Sequence, residues 1–285
     1  MLKTCSVCLL NSMETEIETI NGEDYCNACV SLVRNPPDYA AISAEWDEFV
    51  AKIKADRKQK DYDVLFALSG GKDSVTALYL TVKKYGLKPL CFTIDHGFKD
   101  NVILDNCLNI TKLLKVDWLL MPVDELITQK IKIYALAGDL PCKYCNTLWK
   151  ETFFNRVIDM FRIDIIFTGG DSLVDNKSYF HRENWHAKLV GLPLAANHMC
   201  EQEIYDIAIQ LGWKKPKIDG WDTDCTAVGV GLWHYRNNNQ GSCHVEEKRH
   251  LSHLVRHQIL SKNEAINLLA QPIKVSEETW KLFEE

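Results

Sequence analysis

The sequence predicts an α/β protein: a doubly wound parallel sheet, with a cysteine-rich ribbon before it and a helical C-terminal region after it. Three observations predict this. Short apolar runs alternate with helix-like stretches from Asp61 to Asp171. Three of the runs end at Ser69, Asp95 and Thr168, each close to glycine. Two Cys-x2-Cys pairs stand in a turn-rich stretch ahead of them all. Strands alternating with helices build parallel sheets, because a parallel connection needs a crossover, and ligands collect at the carboxyl ends of the strands.

Residues 1–35 form the first unit. Cys5-x2-Cys8-x17-Cys26-x2-Cys29 has the spacing of a four-thiolate zinc site. A segment of about 34 residues is too small to hold itself with an apolar core, so a metal clip gives it a reason to fold. With all four positions filled by protein, the zinc is expected to be structural. Asn35-Pro36-Pro37 then breaks the chain.

Residues 36–175 form the nucleotide unit. Ile42, Trp46, Phe49, Val50 and Ile53 recur at helical spacing. Val64–Leu68 is a continuous apolar run, as expected of a strand buried on both faces. A helix from Asp73 to Tyr85, a strand Leu90–Ile94, a helix to Lys115 and a strand Trp118–Met121 follow. Helices flank Cys142, and a fourth strand spans Ile163–Phe167. In residues 176–285, the stretch to Gln240 reads as irregular, and helical periodicity returns from Glu246. His181-Arg182-Glu183-Asn184-Trp185-His186 reads equally as a substrate loop or a plain surface loop.

The 285 residues carry a net charge of −6, and no apolar run approaches the ~20 residues a membrane span requires. Met1 to Cys5 carry no apolar leader, so a cytoplasmic location without membrane attachment is expected. The basic run Lys52, Lys54, Arg57, Lys58 and Lys60 reads as a solvated helix face. The acidic balance favours a small-molecule or nucleotide substrate over tRNA. His250, His253 and His257 share a helix face, but no glutamate base accompanies them, and they read as packed or exposed rather than metal-binding.

Ser69-Gly70-Gly71-Lys72-Asp73-Ser74 lies between a buried strand and a helix start. Two glycines let the backbone approach a ligand, and first-turn amides with the helix dipole favour an anion. Lys72 adds a point charge; Ser69 and Ser74 add hydroxyls. The string is a pyrophosphate cradle, shorter than a Walker loop. It resembles the Ser-Gly-Gly-x-Asp-Ser signature of the PP-loop ATP-pyrophosphatase superfamily, over about residues 61 to 175.

The resemblance implies an adenine nucleotide alpha hydrolase-like fold and cleavage of ATP to AMP and pyrophosphate. Lys72 and Asp73 would be catalytic, with Asp73 capping its helix and orienting Mg2+. Ile94 and Asp95 would lie beside adenine and ribose. Gly169, Gly170 and Asp171 occupy the place of a Thr-Gly-His-Asn-like string in thiolation members. Here Gly170 replaces the histidine, and the acidic pair is spread to Asp171 and Asp175.

Cys142-x2-Cys145 by itself reads as a redox pair, half of a zinc site, or two ligands of an iron–sulfur cluster. The chain resembles iron–sulfur-dependent tRNA thiolation enzymes, which carry a PP-loop, a Cys-x2-Cys and a lone downstream cysteine. That implies a 4Fe-4S cluster on Cys142, Cys145 and Cys225, with Cys200 or Cys243 as substitutes for Cys225. A sulfur donor protein would then be a partner. The chain also resembles the N-acetyl sugar amidotransferases of surface-polysaccharide synthesis, which share the ribbon, the PP-loop and a central cysteine knuckle. That implies ammonia from a partner glutaminase. A nucleotide-binding scaffold without turnover is argued against by the intact phosphate string. The expected activity is adenylation of a carbonyl oxygen followed by sulfur transfer, with amidotransfer as the alternative.

Overall fold

A computed structural model describes residues 2–56, 61–148, 152–171, 173, 176–181, 189–216, 225–238 and 241–284. Arg57, Lys58, Lys60, Asp175 and the loop Arg182–His186 lie outside these residues.

Ile17–Ile20 (β1) and Glu23–Cys26 (β2) pair antiparallel across Asn21-Gly22, both at positive φ (53° and 88°). That two-residue turn matches the twist of a hairpin. Asn27–Arg34 (α1) completes the ribbon. After the prolines, the Asp38 carboxylate accepts from Ala41 N at 3.0 Å and starts Tyr39–Ala55 (α2).

The central sheet contains Val64–Ala67 (β3), Pro89–Asp95 (β4), Asp117–Pro122 (β5), Ile165–Thr168 (β6), Tyr179–His181 (β7) and Leu189–Gly191 (β8). Its order is β5-β4-β3-β6-β8-β7, all parallel except β7. Both faces are covered. Phe66 and Leu68 belong to a core with Trp46, Leu78, Ile110 and Ile204, which brings in α2, Lys72–Tyr79 (α3), Asn101–Leu114 (α4) and, in chain order after Glu125–Leu136 (α5), Pro141–Leu148 (α6), Phe154–Phe161 (α7) and Pro193–Ala196 (α8), the helix Glu201–Gln210 (α9). Leu65 and Ala67 face the other way, onto Phe154, Val157 and Ile158 of α7. Two buried faces are why β3 shows no polar alternation.

From β3 the chain proceeds through α3 to β4 on one side, while β6 returns on the other. The strand order therefore reverses between β3 and β6. Loops at such a point diverge and leave a crevice.

Four helices end the chain: Thr226–Asn238 (α10), Cys243–Arg256 (α11), Lys262–Ala270 (α12) and Glu277–Glu284 (α13). Among the described residues no helix is long and apolar enough to cross a membrane. Among its described residues, the stretch expected to be irregular holds two strands and three helices, and the sheet continues past residue 175. β7 and β8 have three residues each, too few for a period. In α10, Gly229 and Gly231 depress helix propensity. Gly231 is there for packing, since a Cβ would lie 2.7 Å from the Asp139 carbonyl. Lys52 and Lys54 are exposed on α2, as a solvated face requires.

Trp46 is fully buried, its ring centroid 5.1 Å from that of Phe167 and 5.5 Å from that of Phe49. Trp46→Ala is expected to lower the unfolding free energy by about 3–5 kcal/mol, measured by urea titration. Leu126→Ala, at a position 75% exposed on α5, should stay within about 0.5 kcal/mol.

Candidate active site

The phosphate string lies at the reversal point. Gly71 is the N-cap of α3, with no side-chain cap. Ser74 Oγ performs the tying instead: it accepts from Gly70 N at 3.1 Å, reaches Gly71 O at 3.0 Å, and lies 3.1 Å from Ser69 Oγ. Gly70 sits at φ +92°, and a Cβ there would meet Ile103 O at 2.4 Å. Its carbonyl accepts from Trp213 Nε1 at 3.0 Å and Asn106 Nδ2 at 3.4 Å. Held from behind, the loop turns the first-turn amides of α3 toward the crevice. These lack intrahelical acceptors and suit an anion.

The loop after β6 closes the opposite side. A Cβ on Gly169 would lie 2.6 Å from Ser74 N, and one on Gly170 would lie 2.8 Å from Leu192 Cδ2. A side chain at position 170 would have to displace the end of Leu192. Between the two loops is a cavity of about 380 Å³. Ser69, Gly71, Lys72, Asp73, Asp171, Glu201 and Cys142 form its polar side, and Trp213, Leu251, Leu254, Leu260 and Leu268 its apolar side.

Asp73 was expected to cap its helix, beside Lys72. The two residues instead begin α3 inside an ion cluster, and Gly71 holds the cap position. Lys72 Nζ stands 3.1 Å from Asp73 and 3.0 Å from Glu201, and its side chain is only 11% exposed. Burial pushes the Asp73 carboxyl up to about 6; Asp171 and Glu201 add to that push, and Lys72 opposes it. Three carboxylates around one lysine form a hard-oxygen set suited to magnesium beside phosphates.

Ile94 and Asp95 end β4 outside this cavity's lining. Asp95 accepts from Gly97 N at 3.0 Å, and Ile94 packs near His96 and Cys145. Lys99, which the sequence reading did not single out, ties the site together. Its Nζ donates to Ser69 O at 3.2 Å, and its backbone bridges to Cys225. Cys142, Cys145 and Cys225 share one apolar cluster, and Cys142 also faces the cavity. Their sulfurs do not close to single-ion spacing; a four-iron cluster places each thiolate on a different iron and needs no such closure. Cys243 joins the same cluster, but burial, with Glu247 and Asp139, pushes its thiol up to about 12, which disfavours a thiolate there. Asp222 and Asp224, flanking Cys225, lie outside the described residues.

Glu201, Trp213 and Asn106 carried no motif in the sequence. Lys99, two residues after the Gly97 turn that ends a strand, carried a weak one. The His253 and His257 rings lie tilted against each other with centroids 4.6 Å apart, and burial lowers both below the ordinary imidazole value, His257 to about 4. Both are part-buried.

In the ribbon, the ligand atoms of Cys5, Cys8, Cys26 and Cys29 all lie within 4.8 Å of one another. All four residues are fully buried. That is the geometry of one metal ion held by four thiolates.

No family model matches the chain. The uncharacterized protein MJ1599 of Methanocaldococcus jannaschii is 30% identical over 279 residues, which span 97% of this chain and 96% of that protein. The chain belongs to the family of MJ1599.

Solved structures similar to this family member include the U34-tRNA thiolase NcsA from Methanococcus maripaludis with its 4Fe-4S cluster. It is 17% identical with a TM-score of 0.44, covering 97% of this chain and 91% of that one. NMN synthetase from Francisella tularensis is 13% identical with a TM-score of 0.41, over 85% and 91% of the two chains. NH3-dependent NAD synthetase from Campylobacter jejuni subsp. jejuni NCTC 11168 is 16% identical with a TM-score of 0.41, over 84% and 99%. Likeness this distant carries no functional weight, which rests on the cavity itself.

Because the folded state raises the Asp73 carboxyl to about 6, ionising it costs stability. The neutral form's contribution is complete below the unfolded value and lost as pH rises through about 6. In protein free of nucleotide and magnesium, Asp73→Asn should melt above the parent at about pH 7.5, with the gap closing toward about pH 4. A melting-temperature gap that widens on acidification contradicts this electrostatic reading.

Proposed function

We propose that this protein is a PP-loop ATP-pyrophosphatase that adenylates a carbonyl oxygen of a small-molecule or nucleotide substrate and exchanges that oxygen for sulfur. The observation that carries the reading is the phosphate cradle at the point of strand reversal, facing one cavity with Lys72, three carboxylates and Cys142. The substrate oxygen attacks the α-phosphorus of ATP, the bond to the bridging oxygen breaks, and pyrophosphate leaves. A sulfur nucleophile then adds at the activated carbon, and AMP departs with the original oxygen.

The amides of Ser69–Ser74 and the Lys72 ammonium stabilise charge on the departing pyrophosphate. Asp73, Asp171 and Glu201 are the groups to hold Mg2+. Once phosphates enter, Lys72 exchanges its carboxylate partners for phosphate oxygens. The Lys99 contact to Ser69 O fixes the loop against the Cys225 segment.

Cys142, Cys145 and Cys225 would hold a 4Fe-4S cluster. A cluster held by three thiolates supplies an open iron able to bind an external sulfur. Zinc is assigned to the ribbon. The reading places the protein in a reducing, cytoplasmic setting, where thiolates rather than disulfides hold metal. A sulfur donor protein is the partner this reading calls for, and the net charge argues against tRNA.

Chromatography of turnover mixtures should show AMP and pyrophosphate; ADP and phosphate alone would end the reading. Lys72→Ala should lower AMP formation by about 10²–10³-fold with circular dichroism unchanged. Anaerobic reconstitution should give four irons per chain, lost in Cys142→Ser. Activity with ammonia and none with sulfide would move the assignment to amidotransfer. Changing Cys5, Cys8, Cys26 and Cys29 to serine should remove one zinc per chain by metal analysis, and zinc retained in full would place it elsewhere.

A further inference from the structure

The sheet does not build the apolar side of the cavity. Beside Trp213, it is formed by Leu251 and Leu254 of α11, Leu260 between the two helices, and Leu268 of α12. The same two helices carry the ribbon. Leu9 packs with Leu251, Val255 and Ala265, and its amide donates to the buried Ser252 Oγ at 3.3 Å. Lys262 Nζ donates to Cys5 O at 2.9 Å and Ser6 O at 3.4 Å, carbonyls inside the first metal knuckle. Lys248 Nζ reaches both carboxylate oxygens of Glu14 at 2.8 Å. Leu251, 1% exposed, touches the ribbon on one side and the cavity on the other.

A four-thiolate segment this small takes its folding free energy from the metal. Without the metal, the Cys5–Cys8 knuckle loses the ion that ties it to Cys26 and Cys29, and the contacts that Lys262 and Ser252 make with it weaken. The cavity wall then loses its backing. We propose that metal binding in the ribbon and nucleotide binding in the cavity are energetically coupled through α11 and α12, with Leu9 and Lys262 as positioning residues. The coupling rests on the assignment of the cavity to ATP. It is reciprocal by thermodynamic necessity: if the metal tightens nucleotide, the nucleotide tightens the metal.

The test uses the full-length, zinc-loaded protein and a chromophoric zinc-selective chelator. A non-hydrolysable ATP analogue with magnesium should slow zinc release by about fivefold or more, the lower end of ordinary coupling between sites. Lys262→Met should keep its zinc yet lose that protection. Hydrogen exchange gives a readout without nucleotide: on zinc removal, the amides of Leu251 to Val255 should lose protection. Equal release rates with the analogue demonstrably bound would overturn the coupling and leave the ATP assignment standing. Unchanged exchange in α11 after zinc removal would overturn it as well. An analogue that does not bind the loaded protein overturns the ATP assignment and the coupling together.

Discussion

Gly169 lies so close to the first turn of α3 that a β-carbon on it would sit 2.6 Å from the Ser74 nitrogen. Most of the site follows from that approach. It brings the loop after β6 against the loop after β3 and places Asp171 in the same cavity lining as Lys72. On the other flank, Gly70 is pressed as closely on Ile103, while Trp213 and Asn106 clasp its carbonyl. Both positions exclude any side chain. The rigidity needed for preorganised donors therefore comes from backbone contact, which has no rotamers to relax.

The charge pattern inside this frame is acidic, with three carboxylates and one lysine lining the cavity. An ammonium with two carboxylate partners at about 3 Å is pre-positioned, and the half-buried Asp73 shows what that arrangement costs in the resting state. Functional sites commonly hold such destabilising charge because its ligand relieves it. In the proposed reaction a polyphosphate with magnesium would do so from both directions: the phosphates would replace the carboxylates at the lysine, and the cation would replace the lysine at the carboxylates.

Much of this was legible in the residues alone. The unbroken apolar run at Val64–Leu68 announced a strand buried on both faces, and the six-residue string after it announced the cradle. The Cys5/Cys8 and Cys26/Cys29 spacing announced a metal clip because local sequence closes it. Contacts made across the fold were not legible. Glu201 and Trp213 reach the loop from beyond β8, and nothing near them in sequence marks an anion site. β7 and β8 were missed because three residues cannot display a period. α10 was missed because Gly229 and Gly231 depress helix propensity, Gly231 in order to pack on the Asp139 carbonyl. Asp73 was assigned a cap from its residue type, whereas Ser74 supplies the tying hydroxyl.

The hydrogen bond from Leu9 to Ser252 spans 243 positions of the chain. During synthesis the ribbon leaves the ribosome long before the helices that cover it exist. At about 5–20 residues per second it waits tens of seconds or less with Leu9 bare. A unit that can close on its own metal is suited to that interval, since it reaches a compact form with no help from the rest of the chain. The last helices then meet a finished surface rather than a mobile strand, which shortens the search such long-range contacts otherwise impose.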